Sequence, residues 1–89
     1  MRAVMTSRMR IIVRLFASQR ETLGRSSLEL DVPDGTTAAG AFARLAQSHR
    51  ELTAPDGAIA FAVNLEHAAP DTALHDGDEL ALLPPVAGG

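Results

Sequence analysis

The segment Leu28-Glu29-Leu30-Asp31-Val32 alternates apolar and acidic residues without a break, and this alternation narrows the folds open to the chain more than any other feature. Successive side chains of a strand point to opposite faces, so Leu28, Leu30 and Val32 belong on a buried face and Glu29 and Asp31 in water. A half-buried strand of this kind needs antiparallel neighbours and a second layer over its apolar face. With 89 residues there is material for one core and one such layer. Pro33-Asp34-Gly35 then ends the strand with a turn signal.

Residues 9–17 (MRIIVRLFA) read as the neighbouring strand, with Ile11, Val13 and Leu15 facing the core and Ile12, Arg14 and Phe16 on the opposite face. Residues 18–26 read as a loop closed by Gly24, which makes the first two strands a hairpin with a long connection. The covering layer is the helix predicted over residues 36–49, with Thr36 as its N-cap and Ala38, Phe42, Leu45 and His49 recurring at helical spacing. Gly40 weakens that helix by roughly 1 kcal/mol relative to alanine, or permits a close approach to the sheet. Residues 53–58 (TAPDGA) break the chain. Residues 59–64 form a third main strand, 65–77 an irregular crossing with at most one short strand, and 78–84 the closing strand. In that last strand Leu80 and Leu82 face one way, Ala81 and Leu83 the other.

The order strand, strand, helix, strand, strand packs economically as an α+β fold of the β-grasp, ubiquitin-like type: a mixed sheet with one main helix on one face. The first and last strands are then parallel neighbours at the centre, and Phe16 and Leu83 share the face the helix leaves open. The expected organisation is an N-terminal extension at residues 1–8, the folded domain at 9–85 and a C-terminal tail at 86–89. Met9 aligns with the expected start of the domain, so residues 1–8 read as a disordered extension or a misplaced start.

Composition removes several classes of function. The net charge is −3 and three residues are aromatic, which leaves neither a basic stripe nor stacking platforms for nucleic acid. Cysteine is absent, which excludes a disulfide framework, a thiolate metal site and a cysteine nucleophile and fits a reducing cytoplasm. All eight basic residues are arginine, so no ε-amine is available for a Schiff base or an isopeptide bond. The opening residues lack the apolar core of a signal peptide, and no run approaches the ~20 apolar residues that cross a bilayer. A cytoplasmic protein is the expectation, with no membrane or nucleic-acid partner.

His49, His67 and His75 have spacings that match no usual metal motif, so no metal is expected. His49 instead suits the negative end of the helix macrodipole. The acidic run Asp76-Gly77-Asp78-Glu79 lacks the ligand pattern of a calcium loop and reads as an Asp-Gly turn launching the last strand. Arg20 and Glu21 read as a surface pair, or as a docking charge for a partner.

The tail has the properties of a reactive arm. Pro84 and Pro85 have no amide hydrogen, so strand pairing stops there and the chain is biased to an extended course. Val86, Ala87, Gly88 and Gly89 reach roughly 14 Å when extended, and the two glycines make the tip thin. The chemically distinct group at that tip is the α-carboxylate, a poor electrophile until ATP converts it to an acyl-adenylate. Sulfide would then give a thiocarboxylate, and an amine an amide.

Residues 15–21 (LFASQRE), Val63-Asn64, residues 71–89 and the intervening helix together resemble the small subunit of molybdopterin synthase, a β-grasp sulfur carrier, over about residues 9–89. The resemblance implies that an E1-like adenylyltransferase activates Gly89 with ATP and that a sulfurtransferase system makes the thiocarboxylate. It implies that the tail enters the large synthase subunit and gives sulfur to a cyclic pyranopterin precursor, two carriers serving two large subunits in a heterotetramer. The catalytic groups would belong to the large subunit, with no cofactor bound by this chain. By position, Phe16, Leu83, Pro84 and Pro85 match partner-docking residues, Arg20 the arginine that docks on the activating enzyme, and Gly88 and Gly89 the diglycine. Leu83 departs from a frequently aromatic position, and residues 65–70 (LEHAAP) from the commoner glycine-containing turn. Alternatives are a carrier for cysteine or thiazole synthesis, a ubiquitin-like modifier that forms isopeptide bonds, and an interaction module with an inert tail.

Overall fold

Alternation in the sequence becomes alternation of burial in β1 (Arg8–Arg14), where Met9, Ile11 and Val13 are buried and the residues between them exposed. A computed structural model describes residues 8–49 and 59–83. In chain order it contains β1, α1 (Ala17–Leu23), β2 (Ser27–Pro33), α2 (Ala38–Ser48), β3 (Ala60–Val63), β4 (Glu66–Ala68) and β5 (Glu79–Leu83). The strands form one mixed sheet of order β2-β1-β5-β3-β4, in which β1 and β5 are parallel and the other pairs antiparallel. This is the expected β-grasp arrangement. The predicted break at residues 53–58 and the extension at 1–7 lie outside the described residues.

The core is made by Ile11, Val13 and Leu15 from the first strand and its exit, Val32 from β2, Ala38, Ala41 and Leu45 from α2, Phe61 from β3, and Leu80 and Leu82 from β5. Phe42 packs at its margin, edge-on to Phe61 at 6.4 Å between ring centroids, a favoured aromatic geometry. Leu28 and Leu30 are only half-buried because β2 is an edge strand. The crossing between β4 and β5 is tied to the start of α2: Ala38 N donates to Thr72 O, Ala39 N to Pro70 O, and Leu74 N to Thr36 O. The first two bonds satisfy helix-start amides that have no partner within the helix, and the third helps to seat Leu74 in the core.

Five details differ from the sequence reading. The segment after β1 is not a loop but the two-turn helix α1, which ends at Gly24 with φ +71, a left-handed conformation that glycine adopts without strain. Thr37, not Thr36, is the N-cap of α2: its Oγ1 accepts from Gly40 N at 3.1 Å, while the Thr36 hydroxyl donates to Pro33 O at 2.6 Å. The buried stripe of α2 is Ala38, Ala41 and Leu45, with His49 outside the helix as its C-cap. Gly40 does not approach the sheet; a Cβ there would meet Thr37 Oγ1 and Thr36 Cγ2 at 3.2 and 3.3 Å. The first strand begins at Arg8, which pairs with Pro33, one residue before the expected boundary.

The β3–β4 hairpin turns on Asn64 (φ +52) and Leu65 (φ +73). Two positive φ values belong to the tight hairpin turn that favours Asn-Gly. Leucine at the second position is strained by its Cβ, and its side chain is 89% exposed, so nothing is gained by burial. Leu65→Gly is expected to raise stability by about 1 kcal/mol, a rise in Tm of about 4–8 °C for a domain this size, read by thermal melting with the sheet unchanged by circular dichroism.

Candidate functional site

The side of the sheet away from α2 is a shallow apolar strip with charged edges. Register fixes its members: Ala60 pairs with Leu83 and Ala62 with Ala81 across β3 and β5, and Ile12 pairs with Glu79 and Arg14 with Ala81 across β1 and β5. Phe61 and Val63 pair with Leu82 and Leu80 and face α2, so Ala60, Ala62, Ala81 and Leu83 occupy the other face together with Ile12. Three alanines keep this face flat. Ile12 is 40% exposed, and Leu83 is half-buried. Beside the strip, Arg14 Nη1 and Glu79 Oε2 are 3.1 Å apart, both partly exposed.

Phe16 is placed by the junction between β1 and α1. Its backbone is still extended, at φ −134 and ψ 156, and it is the N-cap residue of α1. Leu15 before it is buried, so Phe16 falls on the open side and is 38% exposed. Continuing the parallel register two residues beyond Arg14–Ala81 sets Phe16 level with Leu83, as the sequence reading expects. Arg20 is exposed in the last turn of α1, next to this end of the sheet. The helical setting of Arg20, the Arg14–Glu79 pair and the three alanines were not foreseen. Pro84, Pro85, Val86, Ala87, Gly88 and Gly89 lie outside the described residues.

The acidic run at the opposite end of the sheet has structural employment. Asp76 Oδ1 accepts from Arg10 N at 2.8 Å, Gly77 N donates to Arg10 O, and Gly77 takes φ +86. Asp78 accepts from Asn64 Nδ2 at 3.0 Å and His75 N at 2.8 Å, and Asn64 Oδ1 accepts from Glu79 N at 3.0 Å. These bonds launch β5 between β1 and β3, the turn role assigned from sequence. Among the described residues no three histidine, aspartate or glutamate side chains are grouped to hold a metal ion. His49 caps α2, His67 is on β4, and His75 Nδ1 lies 3.7 Å from Asp78 Oδ2. The Arg10 guanidinium is held above its ordinary pKa by its hydrogen bond to Asp31, with Asp31 and Glu29 adding electrostatic attraction. No helix among the described residues is long and apolar enough to cross a membrane.

Residues 13–89 match the sequence profile of the ThiS family. The chain belongs to the ThiS family. A molybdopterin synthase sulfur carrier subunit from Chlamydomonas reinhardtii is 35% identical over 83 residues, which cover 91% of this chain and 100% of that protein. The crystal structure of small archaeal modifier protein 1 from Haloferax volcanii superposes with a TM-score of 0.79 at 32% identity, covering 88% of this chain and 99% of that one. A complex of subunits 1 and 2 of molybdopterin-converting factor from Helicobacter pylori contains a chain that superposes with a TM-score of 0.60 at 27% identity, covering 91% of this chain and 100% of its own length. This ThiS-family chain thus shares its ubiquitin-like β-grasp fold with proteins named as sulfur carriers and with one named as a protein modifier.

Proposed function

We propose that this chain is the sulfur carrier of a molybdopterin synthase. An E1-like enzyme adenylates the Gly89 carboxylate with ATP, a sulfurtransferase system supplies sulfur to form the thiocarboxylate, and the tail delivers it inside the large synthase subunit. The observation that carries the reading is the continuity of the open strip with the tail: Leu83, beside Phe16 on the uncovered face, is followed directly by Pro84-Pro85-Val86-Ala87-Gly88-Gly89. A partner that covers the strip receives the carboxyl terminus in the same act. The carrier contributes docking and the acyl group, and the large subunit contributes the catalytic groups. The relative named as a molybdopterin synthase carrier supports the choice of pathway, and the two-subunit complex supports a large-subunit partner. The assembly expected is a heterotetramer in the cytoplasm.

Reconstitution tests this directly. The thiocarboxylated chain mixed with a large synthase subunit and the cyclic pyranopterin precursor should yield the dithiolene product, whereas a cysteine- or thiazole-forming partner should give no turnover. Apolar residues at the centre of an interface carry a disproportionate share of binding energy. Phe16→Ala and Leu83→Ala are each expected to weaken large-subunit binding about tenfold, or about 1.4 kcal/mol, measured by calorimetry, with the melting curve little changed because both side chains stand outside the buried core.

The likeness to small archaeal modifier protein 1 favours a second reading, in which Gly89 is joined to lysines of other proteins. Covalent ladders in cells that disappear on tail deletion support that reading; their absence beside active sulfur transfer supports the first.

A further inference from the structure

Every basic residue of this chain is arginine, and cysteine is absent as well. The amine and thiol side chains that most readily attack an activated acyl group are therefore both missing from a protein whose own terminus, on the reading above, becomes such a group. The structure adds where the charges sit. Arg8, Arg10, Arg14, Arg20, Arg25 and Arg44 are all exposed. Three of them gather at the end of the sheet where β5 finishes. Arg14 ends β1 opposite Ala81, Arg20 is on the helix that follows, and Arg25 precedes Ser26, whose carbonyl accepts from Leu15 N at 2.8 Å. Six residues follow Leu83, a span of about 20 Å when extended. An amine at this rim would lie within the radius of a neighbouring copy's tail, or of the chain's own.

We propose that this arginine rim supplies positive charge at the tail end of the sheet in a form the activated carboxyl terminus cannot acylate, so that the chain donates its acyl group to sulfur and no side chain of the rim accepts it from another copy. The inference rests on the sulfur-carrier reading and concerns the specificity of the same tail. In the side reaction, a neutral amine attacks the Gly89 carbonyl carbon of the acyl-adenylate. The bond to the phosphate oxygen breaks, AMP leaves with the electron pair, the amine proton passes to water, and an amide remains. About one lysine in 1,000 is neutral at pH 7.4, against about one arginine in 100,000 or fewer. Arginine keeps the docking charge and its hydrogen-bond donors while removing the nucleophile. Histidine does not restore the reaction, because an acyl-imidazole is hydrolysed back to the carboxylate.

The test uses the full chain with its activating enzyme and ATP, without a sulfur source, so that adenylate accumulates. Intact mass spectrometry reads the adenylate and any species of twice the chain mass less one water. The wild-type chain should show adenylate and, in tandem spectra, no adduct linked through a side chain. Arg25→Lys, which keeps the charge at an exposed position, should form the adduct at least tenfold above wild type, with Gly89 amide-linked at position 25 in tandem spectra. Arg14→Lys, at the end of β1 within the same rim, gives a second reading if the first variant is adenylated less than wild type. An adduct linked through a side chain in the wild type, or none above wild type in either adenylated variant, overturns the proposal. Absence of adenylate on the wild type with a demonstrably active enzyme overturns the sulfur-carrier reading itself, a different failure.

Discussion

Leu80→Ala is expected to destabilise the domain by about 3 kcal/mol, within the 2–5 kcal/mol that buried leucine truncations cost. Leu80 is fully buried on β5, in register with Val13 of β1 on one side and Val63 of β3 on the other. Its loss removes apolar surface from the middle of the sheet, and strands held in register on both sides collapse poorly into the gap. Total stability for a domain of this length is about 4–13 kcal/mol, so this one change takes a large share. In urea, with a slope of about 1.5 kcal/mol per molar, the midpoint should fall by about 2 M. Ala81, on the other face of the same strand, gives the contrast: Ala81→Ser should shift the midpoint little. Equal losses at the two positions would contradict the assignment of faces.

Removal of Gly89 should have the opposite profile. The melting curve should stay within experimental error, because the strands, helices and core of the described residues are complete by Leu83 in β5 and Gly89 follows six residues later in sequence. Sulfur transfer should fall below detection, because the acyl carbon that carries sulfur then belongs to Gly88 and is one residue, about 3.5 Å, short of its place in the partner. A displacement of 1 Å at a reacting centre already costs about a hundredfold. The shortened chain should still bind the large subunit through Phe16 and Leu83, so binding measured beside turnover separates docking from chemistry. Retained transfer would place the reactive group elsewhere.

The strands were legible because their burial follows a period of two. Ile11, Val13, Leu80 and Leu82 each fall on the side that alternation assigns. The pairing of β1 with β5 follows from chain order and from a single helix having one face to cover. The helix α1 was not legible, and Gln19 is the reason. It is buried one turn before the half-buried Leu23, so the inward stripe of this short helix carries a polar residue where an apolar one would have marked the period. The N-cap was misplaced by one because Thr36 and Thr37 are equal candidates in sequence. Only the folded chain shows that the Pro33 carbonyl takes the first hydroxyl and leaves the second for Gly40.

The open face was partly legible, since the positions of Phe16 and Leu83 follow from alternation in two strands. Its flatness was not, because Ala60, Ala62 and Ala81 become neighbours only through the β3–β5 register. Leu65 shows the converse. Its departure from a glycine-containing turn was visible in the sequence, whereas the positive φ it must sustain was visible only in the hairpin.

The central claim is that the Gly89 carboxylate is the sulfur-bearing group. Intact mass spectrometry of the chain after incubation with its activating enzyme, ATP and a sulfur donor tests it most directly. The expected result is a gain of about 16 Da, one oxygen replaced by sulfur at an activated acyl carbon, located at Gly89 by fragmentation and lost when Gly89 is removed. An unchanged mass with an enzyme shown to be active on another carrier, or sulfur found on any other residue, would contradict it.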